Sequence, residues 1–279
     1  MNSPLMSLTP WMFTRPPGTR PPMALALLEG RALLEGLSLP LAWPCLRASL
    51  PPGDGHPVMV LPGLMAGDAS TWPLRQFLQQ LGYDARGWGL GINTGPRAHV
   101  RPRLNERLQQ LHAESGRRVS LIGWSLGGVF ARELARDQPE LSRQVISLGS
   151  PLYGTPGQAA NPWVWHLFKA LNPELSEAQA DEVRGHRPPP VPCTSIYTRT
   201  DSVVGWGASV EYSSPLTDNV EVNSASHLGL GINPLVWYVI GDRLAQAEGQ
   251  WAHFKPAGLR RFLFRGKSPA QPLPPQTEP

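Results

Sequence analysis

Between His56 and Gln246 short apolar runs alternate with longer amphipathic stretches, and few folds accommodate that rhythm. HPVMVL at 56–61, Tyr83–Leu90, RVSLIG at 118–123, Gln144–Leu148, Thr194–Tyr197 and Asn219–Asn223 are short runs, several closed by turn residues, and each predicts a strand. Thr71–Gln80, Arg97–Ala113, Leu126–Arg136 and Pro234–Gln246 carry helical spacing and lie between or after them. Such alternation predicts a mostly parallel sheet with helices on both faces. Ligands of these sheets bind beyond the carboxyl ends of the strands, so the loops that follow strands are where chemistry is to be sought.

Composition closes off other classes. The 279 residues are 41% hydrophobic and 16% charged, enough for a buried core and too weakly charged for a disordered polyelectrolyte or a long coiled coil. The 28 Gly and 32 Pro show no triplet period, which excludes collagen and sends the excess to loops and tails. Two cysteines, Cys45 and Cys193, cannot build a disulfide framework, a thiolate zinc site or an iron–sulfur site. The net charge of +4 comes mainly from scattered Arg, so no nucleic-acid partner is expected. There is no phosphate loop, dinucleotide fingerprint or metal-ligand cluster; no cofactor and no metal are expected. No run is long enough to span a bilayer, and Pro4, Pro10, Pro16, Pro17, Pro21 and Pro22 break every early apolar run. With no signal peptide recognised, a cytoplasmic location is the expectation.

Residues 1–22 read as a Pro-rich arm, docked through Trp11, Met12 and Phe13. Residues 23–258 read as one domain, opened by the helix-like MALALLEGRALLEGLSL with Leu28, Leu33, Leu34 and Leu37 at near-helical spacing. Residues 152–190 form an insertion too long for a plain connection, and 259–279 a tail, partly disordered, whose GLRRFLFRGK either caps the core or leaves room for peripheral lipid contact.

The segment RVSLIGWSLGGVFAREL places Gly123-Trp124-Ser125-Leu126-Gly127 directly between a strand and a helix. A sharp turn there needs glycines where chains approach closely, and the helix that follows aims its N-terminal N–H groups at any developing anion. A plain glycine-rich turn in which Ser125 only caps the helix is the competing reading. With the LPGL loop after an early strand, and an Asp and a His after later strands, the chain resembles the α/β-hydrolases over residues 55 to 250, most of all their bacterial lipase and esterase branch. That resemblance implies the order nucleophile, acid, histidine.

Seven histidines can be sorted by position. His56 precedes the first core strand, His99 and His112 lie on a solvated helix, His166 and His186 in the insertion, and His253 in the tail. His227 alone follows a strand and enters a Gly-rich loop before the last helix, where the family carries its base. Asp201 ends the segment CTSIYTRTD, directly after a strand, and is the expected acid. Glu211 on the same connection and Asp218 at the start of the next strand are the alternatives.

Ser125, Asp201 and His227 then form the expected triad, with the imidazole taking the serine proton and the carboxylate orienting the ring. The N–H groups of Leu126 and, by the family's loop, Leu64 would hold an oxyanion, with Met65 as the next choice. Within the insertion, Asn161 and Pro162 mark a helix start, and Trp163, Val164, Leu167, Phe168 and Leu171 follow helical spacing. This helix is either a lid over an acyl pocket or plain core. Trp124, Met65, Trp163, Phe168 and Trp206 are the expected substrate-binding side chains, and a hydrophobic acyl ester the expected substrate. Acyl transfer with the same triad, or a non-catalytic binding role, remain the alternatives. The pentapeptide GLGIN at 89–93 and 229–233 is read as one loop-to-helix solution used twice, without chemistry.

Overall fold

In the computed structural model six strands pair into one all-parallel sheet. They are β1 (Pro57–Leu61), β2 (Asp84–Gly87), β3 (Val119–Trp124), β4 (Ser142–Leu148), β5 (Cys193–Tyr197) and β6 (Thr217–Glu221), in the order β2-β1-β3-β4-β5-β6. The structure describes residues 20–153, 159–175, 188–223, 225–256, 258 and 262–264; Trp11, Met12 and Phe13 of the expected arm and most of the tail lie outside them. Among the described residues six α-helices accompany the strands: α1 (Ala32–Ser49), α2 (Asp68–Leu81), α3 (Val100–Ser115), α4 (Leu126–Asp137), α5 (Pro162–Leu171) and α6 (Pro234–Leu244). The predicted strands and helices are all present, with ends displaced by a few residues.

The pleat of β1 explains the two layers. Val58 and Val60 point into a core closed by α1, α2 and α6, while Met59 and Leu61 point into one closed by α3 and α4. Strands buried on both faces read as unbroken apolar runs rather than alternations. In the first layer Trp43, Phe77 and Trp237 meet with ring centroids 4.9–5.4 Å apart, which locks α1 and α2 to α6.

The N-terminal segment departs from expectation. A 3-10 helix over Met23–Arg31 leads into α1, which runs through Pro40 and Pro44 because Leu39 and Leu46 are held in the core. Leu28, Leu33, Leu34 and Leu37 face outward, whereas Glu35 is only 7% exposed. The apolar spacing therefore marks the solvent face, and a carboxylate marks the buried one. At the other end of the chain Phe264 caps the first core against Tyr238 and Phe254, with Phe262 and Leu263 left exposed. Among the described residues no helix is long and apolar enough to cross a membrane.

At the amino end of the sheet His56 is buried between Asp54 and Ser120, its Nε2 2.9 Å from Ser120 Oγ. Burial, the largest influence, lowers its pKa to about 4, against the pull of Asp54. The ring is thus neutral in the fold, while the unfolded chain takes up a proton near 6.5. His56 therefore supports folding fully above pH 6.5, and that support is lost as pH falls toward about 4. The melting temperature is expected to fall between pH 7 and pH 4.5, and His56→Gln should flatten that slope in a thermal scan series.

Candidate active site

Four loops at the carboxyl edge of the sheet converge on Ser125. The serine sits between β3 and α4 with φ 54° and ψ −122°, a conformation worth about 1–3 kcal/mol of strain. Its N–H donates to Leu148 O of β4 at 2.8 Å. The turn is possible because the chain lacks side chains on both sides of it. A Cβ on Gly123 would lie 2.3 Å from Gly127 O and Gly128 N, and one on Gly127 would lie 2.4 Å from Leu61 O. The loop after β1 therefore rests directly on the first turn of α4, which brings Leu64 beside Ser125 and Leu126.

His227 Nε2 lies 3.1 Å from Ser125 Oγ, and its Nδ1 lies 2.6 Å from Asp201 Oδ2. Asp201 is held in turn through Oδ1, which accepts the N–H groups of Val203 at 2.8 Å and Val204 at 2.7 Å. Both His227 and Asp201 are buried. Burial opposes a charged ring, but the charge and hydrogen bond of Asp201, aided by Glu29, raise the His227 pKa above its ordinary 6.5. The alternative acids are engaged elsewhere. Glu211 pairs with buried Arg132 at 2.8 Å and with Tyr153, and Asp218 accepts the Phe254 N–H at the far end of β6. His186 lies outside the described residues.

The loop after β1 is pinned by Asn93, a buried residue to which no role was assigned from the sequence. Its Nδ2 donates to Pro62 O at 2.8 Å, its backbone O accepts the Met65 N–H, and its N–H donates to Ala66 O. Met65 has φ 60°, its side chain is 51% exposed, and its N–H is committed to Asn93. The second choice for an oxyanion donor is therefore already spoken for. The N–H groups of Leu64 and Leu126 have no acceptor among the described residues, as the first position of a helix requires of Leu126. The two GLGIN copies thus differ. Asn233 caps α6 by accepting the Leu235 N–H, whereas Asn93 holds the loop beside the serine and caps no helix.

No family model matches the chain. RutD of Enterobacter cloacae, named as a carbamate hydrolase, is 33% identical over 107 residues, which is 36% of this chain and 40% of that protein. Lipase B of Aspergillus fumigatus superposes on 73% of this chain and 56% of its own, at 18% identity and a TM-score of 0.50. The chain thus spans less than two thirds of both proteins. An α/β superfamily hydrolase from Oenococcus oeni superposes on 70% of this chain and 94% of its own, at 17% identity and a TM-score of 0.51. This is an α/β-hydrolase fold.

In this α/β-hydrolase fold the space above Ser125 is an apolar cavity of about 60 Å³. It is lined by Leu64, Leu126 and Phe130 and, from α5, by Val164, Trp165 and Phe168. Asn161 caps α5 by accepting the Trp163 N–H, with Pro162 in the first turn. Of the five side chains expected to bind substrate, only Phe168 lines the cavity. Trp163 is 53% exposed because it sits on the opposite side of α5. Trp206 is stacked against Tyr197 with the Arg199 guanidinium over its ring, and Trp124 donates from Nε1 to His227 O at 3.1 Å while covering Gly231. Trp124 thereby braces the histidine loop rather than the pocket. Sequence position placed these tryptophans near strand ends, but the direction of each ring is set by its partners, His227 O about a hundred residues from Trp124 and Tyr197 with Arg199 close to Trp206. Among the described residues no cluster of three or more His, Cys, Asp or Glu is placed to hold a metal ion.

The contact between Gly127 and the loop after β1 leads to a prediction. Gly127→Ala should lower stability by about 1–3 kcal/mol through overpacking, read as a drop in melting temperature. It should also separate Leu64 from Leu126, so that activity falls further than the loss of folded protein explains.

Proposed function

We propose that the protein is a serine hydrolase that cleaves carboxylic esters of hydrophobic acyl groups through an acyl-enzyme. The observation that carries this reading is the unbroken chain from Ser125 Oγ to His227 Nε2 at 3.1 Å and from His227 Nδ1 to Asp201 Oδ2 at 2.6 Å, opening into an apolar cavity. Ser125 Oγ attacks the ester carbonyl while His227 takes its proton. The carbonyl oxygen gains negative charge, and the Leu64 and Leu126 N–H groups hold it, each such donor being worth about 2.7–4 kcal/mol. His227 then hands the proton to the leaving alkoxide, leaving the acyl group on Ser125. A water molecule, deprotonated by His227, attacks the acyl-enzyme, and the acid leaves as Ser125 recovers its proton. Asp201 stays ionised throughout and stabilises the imidazolium formed in each half. Helix α5 acts as the cover over the acyl group. With α5 seated as it is, a cavity of about 60 Å³ suits a short acyl chain, and longer ones require α5 to move.

Labelling with a fluorophosphonate probe tests the nucleophile: Ser125→Ala should abolish it and lower kcat on nitrophenyl esters by at least about 10⁴-fold. Asp201→Asn should cost about 10³–10⁴-fold with binding little changed. Because the base must be neutral and its pKa is raised, kcat/KM of the wild type should fall as pH drops through a value above 6.5. Labelling without hydrolysis of any ester would move the reading to acyl transfer, and equal labelling of wild type and Ser125→Ala would end it.

Chain-length profiles test the pocket. Phe168→Ala removes a wall of the cavity and should shift preference toward longer acyl chains, by about tenfold relative to acetate for one added methylene or two. Trp163→Ala should leave the profile where it was.

A further inference from the structure

The 3-10 helix at the start of the described chain places an acid where neither the fold nor the triad calls for one. Glu29 Oε1 accepts the Ser202 N–H at 3.2 Å, the Ser202 hydroxyl at 2.9 Å and the His227 N–H at 3.2 Å, and Oε2 accepts the Leu228 N–H at 3.0 Å. One carboxylate thus joins the loop that carries Asp201 to the loop that carries His227, touching the residue after the first and the backbone of the second.

Its neighbours extend the same seam. Arg31 donates to Thr200 Oγ1 and Ala225 O, and Glu35 accepts the Ser226 N–H and the Asn233 amide, each at 2.8 Å. These two brace the loops from further off. Arg31 bridges the two loops as Glu29 does, but of the three only Glu29 meets the His227 backbone directly. Its four donors are all neutral, so its negative charge is not cancelled by any of them.

We propose that Glu29 is a positioning residue for the reaction, a carboxylate that fixes the spacing between the Asp201 and His227 loops and adds a second negative charge at the His227 backbone. The proposal rests on the hydrolase reading above. The charged groups that bear on His227 are Asp201 from the loop after β5 and Glu29 from the 3-10 helix. Arg31 and Glu35 stand behind them, 3.8 Å from one another. Both carboxylates favour the charged form of the ring, which is the form created when Ser125 gives up its proton and attacks the carbonyl.

Glu29→Gln retains one acceptor oxygen but points an amide donor at N–H groups and removes the charge. It should lower kcat about tenfold with KM little changed, and move the acid limb of kcat/KM to lower pH by several tenths of a unit. A merely structural contact would lower the melting temperature and the rate without moving that limb. The experiment measures nitrophenyl ester hydrolysis and fluorophosphonate labelling rates between pH 4.5 and 9 for wild type, Glu29→Gln and Glu29→Asp, with a thermal scan of each. Glu29→Asp keeps the charge but draws it back, so an intermediate rate and a smaller shift in the same direction are expected; if Glu29→Gln does not fold, this variant carries the test. A limb superimposable on wild type in the folded variants overturns the proposal while leaving the triad intact. Wild-type labelling no greater than that of Ser125→Ala overturns both, and tells the two failures apart.

Discussion

At the junction of β1, β3 and α4 three stretches of backbone meet with less than a methyl group's room between them. A Cβ on Gly123 or Gly127 would fall 2.3–2.4 Å from backbone atoms, far inside any permitted contact. This close approach makes the rest of the site possible. It lets Ser125 take a positive φ and seats the loop with Leu64 against the first turn of α4. The strain at Ser125 is tolerated because β3 and β4 are buried on both faces and hold the serine N–H to Leu148 O.

Around that junction, polar groups from distant parts of the chain decide where the other loops lie. Asn93 ties down the loop after β1, Trp124 braces the histidine loop, and Asp201 is held by two backbone N–H groups before it meets His227. The N-terminal segment adds Glu29, Arg31 and Glu35 to the same edge. A charge-assisted hydrogen bond contributes about 1.5–3 kcal/mol, and an unmet buried carboxylate costs more than that. These acids therefore orient the whole segment. Its leucines, among them Leu27 at 88% exposure and Leu33 at 70%, are turned outward as a consequence.

That inversion shows where sequence reasoning stops. Apolar spacing suggested that Leu28, Leu33, Leu34 and Leu37 face the core, and the structure turns them out. The signal that could have corrected it is the doubled LLEG, at 27–30 and 33–36, which places two acids six residues apart. Nothing local reveals that backbone donors at 202, 226, 227 and 228 wait for them. The tryptophans fail because periodicity and position do not set the direction of a ring. Trp124 and Trp206 stand near strand ends as expected, yet each ring is claimed by a partner about a hundred residues or only a few residues away.

The sequence by itself determined the mostly parallel sheet with helices on both faces, and the glycine-flanked serine turn at its carboxyl edge. Those follow from local periodicity, from glycine's missing side chain and from the rule that loops after parallel strands share one edge. Sequence position favoured Asp201 among several acids, and tertiary structure decided between them, since Asp201 meets His227 while Glu211 on the same connection is paired with Arg132. It also decided which face of the first helix is buried, which side chains of α5 reach the cavity, and how large that cavity is. Each of these depends on pairs of groups far apart in the chain, whose energies no single segment contains.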